Sequence, residues 1–387
     1  MRDRMDLLVK RWILFLLHAI LPRKENRVLF MSFSGSTYSD NPKAISVALR
    51  SLYPTIEQCW IMKDPKAKSG VLDPSSIVRK GWSFGALVAM ARASVWVFND
   101  TLPGWAWKGS DQYFIQTWHG DRGFKKILYD FSDRAGKPLL QEQFSCDLAI
   151  AGSDFGESFF RTAFRYRGEV LKTGCPRNDI LVDLQDATIA ETQSRLGLEP
   201  QYHYVLYAPT LRRKEGKSRE AQKVQDIDFF SILEQLGKVF GGSWKFLIRS
   251  HVKVPGLVGY PDSDAIIDVT ANEDMADLLV VSDMLITDYS SSPGDFALTN
   301  RPIILYQNDR KSFEEKQRTF YFDLDDSPFW IVSSQDALLH AIADMPNRNV
   351  KQNCEAILAF YKTHETGHSS ADVAKRIAQF CKVSLKN

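Results

Sequence analysis

The chain has 387 residues, 44% hydrophobic, 25% charged and 12% aromatic, which is about two domains' worth and too apolar for a disordered or fibrous protein. Lys and Arg number 49 against 47 Asp and Glu, and a net charge of +2 excludes a sequence-independent nucleic-acid binder that relies on bulk positive charge. Cys59, Cys146, Cys175, Cys354 and Cys381 are odd in number, scattered and never spaced C-x-x-C, which argues against a disulfide framework or a structural zinc site and for a reducing, cytoplasmic compartment.

The first element is an apolar run at residues 12–21, flanked by Arg2, Arg4, Lys10 and Arg11 before it and by Arg23 and Lys24 after it. A bilayer span takes about 20 apolar residues, so this run is too short, and no small-residue cleavage site follows it. Two readings of residues 1–24 stay open. One is a helix packed on its own domain; the other is an interfacial helix whose basic flanks meet anionic lipid while Trp12, Phe15 and Leu16 enter the headgroup boundary.

Apolar runs then alternate with helical patterns. Strands are predicted near 27–33, 57–62, 94–98, 113–117, 147–151 and 170–173, with helices at 42–52 and 83–92. After a Gln- and Glu-rich stretch at 184–202 the series restarts, with strands near 204–208, 244–249, 265–268, 283–287 and 302–306, and a helical stretch at about 351–382 closes the chain. Repeated β–α–β units with apolar strands imply parallel sheets covered on both faces. The expected class is therefore α/β, with two Rossmann-like domains at 25–190 and 200–387 facing across a cleft at the carboxyl ends of their strands. There is no G-x-x-x-x-G-K-[ST] and no G-x-S-x-G, so neither a P-loop kinase nor an α/β-hydrolase is indicated.

Three loops after strand ends carry chemistry-bearing residues. Gln116-Thr117-Trp118-His119-Gly120-Asp121-Arg122-Gly123-Phe124-Lys125-Lys126 presents an imidazole beside glycines, with Arg122, Lys125 and Lys126 as anion-binding charge close behind. His119 could take a proton from an attacking hydroxyl, because imidazole titrates near neutral pH. At the end of Trp244–Ile248, Arg249 and His251 fall on one side of an extended segment and can face one anion. In Thr287-Asp288-Tyr289-Ser290-Ser291-Ser292-Pro293-Gly294-Asp295, Ser292 as N-cap with Pro293 at the first helical position would start a helix whose amides, with Ser290 and Ser291, make a phosphate site. Asp323-Leu324-Asp325 is formally a metal-holding D-x-D, and Tyr38-Ser39-Asp40-Asn41-Pro42 reads equally as a helix-starting turn or as part of an acceptor site.

These loops resemble, in this order, the CDP-glycerol glycerophosphotransferase family, whose members prime and polymerise teichoic acids and similar capsule polymers. The resemblance runs from about residue 27 to 330. It also rests on Gly174-Cys175-Pro176-Arg177-Asn178-Asp179, on Leu206-Tyr207-Ala208-Pro209-Thr210-Leu211-Arg212 and on Arg301-Pro302-Ile303-Ile304. It implies the two-Rossmann glycosyltransferase (GT-B) fold, with an acceptor domain first and a CDP-donor domain second, and a length suited to a priming enzyme. The reaction implied is transfer of glycerol phosphate from CDP-glycerol to a hydroxyl of a membrane-anchored, polyprenyl-diphosphate-linked glycan or teichoic acid, with CMP leaving. The enzyme would then sit peripherally on the inner face of the cytoplasmic membrane, without a nucleic-acid partner.

By the same resemblance His119 and His251 are catalytic. Arg249, Thr287, Asp288, Ser290, Ser291, Pro209, Thr210 and Arg212 hold the donor. From residue type and position, Asp121, Arg122, Lys125, Lys126, Asn41 and Arg177 are expected to meet the acceptor or a phosphate. No cofactor is required by any motif, and a magnesium ion on the diphosphate is an open alternative. The chain departs from the family pattern where Asp121-Arg122-Gly123 follows Trp-His-Gly, where Cys175 stands between Gly174 and Pro176, and where Ser292-Pro293-Gly294 replaces a more apolar run. Transfer of ribitol phosphate from CDP-ribitol, or of a sugar from a nucleotide sugar, are the alternatives, and oligomeric state is left open.

Overall fold

The structure is a computed structural model that describes residues 2–68, 72–131, 146–210, 222–223, 227–250, 257–316 and 319–384. It divides into two units: 1–121 with 128–179 and 364–387, and 122–127 with 180–363.

The first unit opens with helix α1 (Arg2–Ile20), followed by strands β1 (Lys24–Met31), β2 (Glu57–Met62), β3 (Ile77–Lys80), β4 (Ala93–Phe98), β5 (Tyr113–Gln116), β6 (Leu148–Ala151) and β7 (Glu169–Lys172), with helices α2 (Asp40–Leu52), α3 (Phe84–Arg92) and α4 (Asp154–Thr162) between them. All seven strands are parallel in the order β3-β2-β1-β4-β5-β6-β7, so the chain winds one way from β1 and then reverses at the β1/β4 boundary. Strand alternation splits the apolar side chains between two faces. Val28, Phe30, Val95 and Val97 pack with Ile45 and Leu49 of α2 on one side. Leu29, Met31, Trp96 and Phe98 pack with Leu14 of α1 and with Leu87 and Met90 of α3 on the other.

The second unit contains α5 (Asp186–Leu196), β8 (Tyr202–Tyr207), the two-residue β9 (Gln222–Lys223), α6 (Phe229–Phe240), β10 (Ser243–Ile248), β11 (Leu257–Val258), β12 (Ile266–Asp268), α7 (Met275–Val281), β13 (Met284–Thr287), α8 (Ser292–Phe296), β14 (Ile303–Tyr306), α9 (Arg310–Lys316), β15 (Ile331–Val332), α10 (Gln335–Ala343) and α11 (Val350–Tyr361). Its parallel sheet runs β12-β10-β8-β13-β14-β15 and reverses at the β8/β13 boundary, while β9 and β11 pair separately. Val205, Tyr207, Phe246 and Ile248 bury against Ile232 and Leu236 of α6 and Leu338 and Ile342 of α10.

The predicted strands appear within three residues of their expected starts. Strands β3, β9, β11 and β15 have no predicted counterpart, because β3 is a half-exposed edge strand containing Arg79 and Lys80 and the other three are two residues long. The final helical stretch is two helices, broken at Lys362–His368, where Lys362 and Gly367 take positive φ. The second of them, α12 (Ser369–Phe380), lies within the 200–387 range of the second domain but packs on α2 in the first unit, so the closing helical stretch runs back to the first unit, an option that periodicity leaves open. Its dock is the Gly174–Asp179 segment. The Asp179 carboxylate accepts from the backbone N–H groups of Ser369 and Ser370 at 2.9 and 2.7 Å, and so caps the helix from another part of the chain. Glu365 accepts from Cys175 N–H at 2.9 Å and from Asn178 Nδ2 at 2.8 Å.

Helix α1 packs on α3 through Leu14, and His18 Nδ1 lies 3.2 Å from the Ala91 carbonyl, as the first reading of residues 1–24 expects. The same helix leaves Leu8, Trp12, Leu16 and Ile20 exposed at four-residue spacing, 50% or more each. No helix among the described residues is long and apolar enough to cross a membrane.

Candidate active site

In a doubly wound sheet, ligands bind at the carboxyl ends of the strands where the winding reverses. The carboxyl ends of β1 and β4 carry Ser32-Phe33-Ser34 and Asn99-Asp100, and β5 beside them runs into Thr117-Trp118-His119. His119 is partly exposed, and its Nδ1 lies 2.6 Å from the Asn99 carbonyl oxygen. A carbonyl only accepts, so Nδ1 carries a hydrogen, and in the neutral ring Nε2 keeps its lone pair, the tautomer a general base needs. Asn99 is itself fixed: its Oδ1 accepts from Phe33 N–H at 2.8 Å and its Nδ2 donates to Ser32 Oγ at 3.2 Å. The Phe33 ring stands 5.1 Å from the imidazole and Trp118 stands 4.2 Å from it, centroid to centroid.

The backbone here is strained. Phe33, Ser34, Asp40 and Trp118 all have positive φ, at a cost of about 1–3 kcal/mol each, and such a concentration marks functional loops. Asn41 holds it in place. Fully buried at the start of α2, it donates to the Trp118 and Thr117 carbonyls at 3.0 and 3.3 Å and accepts from Arg177 N–H at 3.1 Å. Its amide is thus spent inside the protein, and the motif around it is a helix-starting turn that supports the histidine loop. Arg177 is likewise buried, with Nη1 3.5 Å from Asp40 Oδ1.

Asp121 and Arg122, predicted to meet acceptor or phosphate, face inward. Asp121 is buried and accepts from Gly152 N–H at 2.9 Å and Ser153 Oγ at 2.6 Å, and a Cβ at Gly156 would fall 1.7 Å from its Oδ1. Arg122 has no exposed surface and pairs with Asp295 at 2.6 Å, and a Cβ at Gly294 would lie 2.7 Å from the Arg122 Cβ. The two loops are therefore one feature: Gly294 makes the space that Arg122 fills, and Asp295 pairs with its guanidinium. The segment Arg122–Ile127 belongs to the second unit. There Lys126 N–H donates to the Thr319 carbonyl at 2.9 Å and Lys125 bridges Phe320, leaving both ammonium groups on partly exposed residues.

The second reversal point brings together the ends of β8 and β13. Thr287 is buried and its Oγ1 donates to the Ala208 carbonyl at 2.6 Å. The buried Asp288 Oδ1 accepts from the N–H groups of Thr210 and Tyr289 at 2.8 and 2.5 Å. Thr287, Asp288, Pro209 and Thr210 were predicted to hold the donor directly; the structure buries them, with the Thr287 hydroxyl and the Asp288 carboxylate locking one loop to the other. Ser290 and Ser291 remain partly exposed. The helix starts one residue earlier than expected, with Ser291 at the cap position, no side-chain cap bond and Pro293 at the second helical position. Ser290 Oγ accepts from Ser292 N–H at 3.2 Å instead.

Arg249, after β10, is partly exposed and donates through Nη2 to the Glu273 carbonyl at 3.0 Å. His251 and Arg212 lie outside the described residues. Asp323 and Asp325 both turn to Arg310, at 3.3 and 2.5 Å, and do not converge on a cation position, so this triplet does not fit a metal. Among the described residues no cluster of three or more His, Cys, Asp or Glu could hold one. Sequence reasoning missed Asn99, Ser32 and Phe33, although their place directly after the apolar runs of β4 and β1 was the available signal.

Comparison with known proteins agrees with this architecture. The chain is 32% identical over 352 residues to the teichoic acid poly(glycerol phosphate) polymerase of Bacillus subtilis (strain 168), a match covering 87% of this chain and 46% of that protein, so the chain spans about half of that relative's length. It is 31% identical over 381 residues to the teichoic acid glycerol-phosphate transferase of Staphylococcus aureus (strain NCTC 8325 / PS 47), covering 94% and 95%. Its fold is similar to that of the wall teichoic acid polymerase TagF, in a variant soaked with CDPG, with a TM-score of 0.81, 28% identity and 96% and 93% of the two chains covered. Residues 13–379 match the family model described as CDP-glycerol:poly(glycerophosphate) glycerophosphotransferase, and the chain belongs to that family of transferases.

Proposed function

We propose that this protein transfers glycerol phosphate from CDP-glycerol to a hydroxyl of a membrane-anchored teichoic acid or glycan acceptor carried on a polyprenyl diphosphate, with CMP as the leaving group. The observation that carries the chemistry is the 2.6 Å contact from His119 Nδ1 to the Asn99 carbonyl, which leaves Nε2 as a proton acceptor. The acceptor hydroxyl gives its proton to Nε2 as its oxygen attacks the glycerol-bearing phosphorus; the new O–P bond forms as the bond to CMP breaks. Charge grows on the transferring phosphoryl oxygens and on the departing phosphate. Arg249, His251, Ser290 and Ser291 on the second unit are the groups assigned to it, and preorganised donors of this kind are commonly the largest catalytic term.

The test is CMP release by the purified full chain with CDP-glycerol, CDP-ribitol and a nucleotide-sugar panel, each with a lipid-linked disaccharide acceptor. Release from CDP-glycerol alone supports the reading. Silence with both CDP-polyols and activity with a nucleotide sugar overturns it.

The membrane side of the proposal rests on α1. Its exposed Leu8, Trp12, Leu16 and Ile20 form an apolar stripe next to the basic residues Lys10 and Arg11, the composition of a helix lying in an anionic headgroup layer. Replacing Trp12 and Leu16 by Glu should release the protein from phosphatidylglycerol vesicles in a flotation assay, and unchanged flotation would remove this part of the proposal.

A further inference from the structure

Asp100 lies just past the end of β4, as Ser32-Phe33-Ser34 lies past the end of β1, and these two strands flank the point where the winding of the first sheet reverses. The carbonyl that holds His119 belongs to the peptide group joining Asn99 to Asp100, so the imidazole docks on the backbone from which the Asp100 side chain leaves. Gln116 ties the two loops together. It is buried, donates through Nε2 to the Asp100 carbonyl at 3.1 Å and accepts through Oε1 from Trp118 N–H at 2.9 Å. The Asp100 carboxylate is held from both sides: Ser34 Oγ donates to Oδ2 at 2.9 Å, and Thr101 N–H donates to Oδ1 at 2.8 Å. Ser34 in turn follows Phe33, whose ring stands beside the imidazole. Asp100, Ser34 and His119 are all partly exposed, on one edge of the first unit.

Among the described residues no Lys, Arg or His pairs with this carboxylate, and each of its oxygens, with one donor apiece, keeps a further lone pair. A hydrogen bond between half-exposed groups stabilises a fold little, yet Phe33 and Ser34 hold this one in left-handed backbone, a strained setting that marks function more than packing. A carboxylate repels phosphate, so this corner suits the hydroxyl-bearing substrate and not the donor's diphosphate. We propose that Asp100, oriented by Ser34, binds the acceptor. One hydroxyl of the acceptor gives its proton to His119 Nε2, and the neighbouring hydroxyl donates to the Asp100 carboxylate. The enzyme thereby reads a vicinal diol, either at the end of a glycerol phosphate chain or on a sugar ring. Two hydrogen bonds and the gap between adjacent hydroxyl oxygens span roughly 8 Å, a reach matched to groups separated by an imidazole ring, a peptide group and a short side chain. The inference rests on the transfer reading above and adds to it the chemistry of the acceptor.

Initial rates of CMP release from CDP-glycerol by the full chain and by Asp100→Ala test it, with two sets of lipid-linked acceptors. The first compares a disaccharide ending in glycerol phosphate with one ending in 1,3-propanediol phosphate, which lacks the middle hydroxyl. The second compares the bare disaccharide with those of its terminal-sugar deoxy analogues that still react. Wild type should favour the diol in one set by about ten- to hundredfold in kcat/KM, the range for a hydrogen bond to a charged group. Asp100→Ala should erase that preference while the KM for CDP-glycerol stays within about twofold, because the contact is with the acceptor alone. The set that shows the preference identifies the source of the diol. Tm of the free proteins controls for folding. If Asp100→Ala does not fold, Asp100→Asn, which keeps the shape and an oxygen for Thr101 N–H, takes its place and should weaken the preference by about threefold or more. Equal kcat/KM within both sets for wild type overturns the inference. So does a variant that slows diol and deoxy acceptors alike, the mark of a residue that only braces the His119 loop. Absence of CMP release from CDP-glycerol with every acceptor overturns instead the transfer reading on which it rests.

Discussion

At the carboxyl edge of the first sheet a partly exposed imidazole is held from behind by a main-chain carbonyl, and the loop around it is propped by Asn41 from below. At the edge of the second sheet the titratable group, Asp288, is buried and occupied with two backbone amides, and what remains accessible is a pair of serines and the turn's own backbone. The first edge presents a partly exposed imidazole on a strained loop; the second presents a shaped, polar surface. A base must keep a free lone pair and reach a moving proton, whereas a site for a phosphate needs preorganised donors, which a braced loop supplies best. Asp121, Arg122, Thr287 and Asp288 are buried, and their bonds brace the loops on both edges.

The largest expected effect is at the base. His119→Ala should lower CMP release by about 100- to 10,000-fold with an unchanged Tm, the range for a lost general base. A near-normal rate would end the distinction between a reactive first edge and a shaping second one.

Next comes the buried Arg122–Asp295 pair. Arg122→Met alone takes the guanidinium away from the buried Asp295 and should cost about 3–5 kcal/mol, read by denaturant unfolding, while Arg122→Met with Asp295→Leu should recover much of it. If Arg122 met the acceptor instead, the single variant would keep its stability and raise the acceptor KM. Asn41→Ala removes three buried hydrogen bonds and should destabilise by about 2–4 kcal/mol, with turnover falling as well because Trp118 loses its support. Retained stability with lost activity would make Asn41 a ligand contact after all.

On the second edge, Ser290→Ala and Ser291→Ala should leave Tm within a degree or two and raise the donor KM by about three- to tenfold, which separates accessible hydroxyls from the bracing ones.

The smallest effect concerns the dock for α12. Partial burial raises the Asp179 pKa above the ordinary carboxylate value, against the opposing hydrogen bonds from Ser370 and Ser369. A folded-state pKa above the unfolded one contributes stability below the unfolded value, about pH 4, and that contribution is lost as pH rises through the folded value. The Tm difference between wild type and Asp179→Asn should therefore shift against wild type between about pH 4 and neutrality; a flat difference would refute the assignment.

Much of this was legible in the linear chain. Strands such as Ala93–Phe98 are runs of apolar residues buried on both sides, and a parallel sheet needs only such runs and the helices between them to declare itself. The loop proposed to supply the base announced itself through His119 after a strand end. The roles of its neighbours did not. Asp121, Arg122 and Thr287 look like ligand-binding residues by type, and whether a carboxylate or guanidinium faces ligand or interior depends on what lies opposite it, here Ser153, Asp295 and the Ala208 carbonyl, respectively 32, 173 and 79 positions away.

The two parallel sheets, the places where their strands end and an imidazole at one of those ends can be read from the linear chain, because apolar periodicity and side-chain chemistry are local properties. It took the folded chain to show that α12 returns to the first unit, that the Asn99 carbonyl meets Nδ1 of His119 and that Gly294 and Arg122 are one packing unit. Each of these is a pairing between groups distant along the chain, and only the folded path brings such groups within hydrogen-bonding reach.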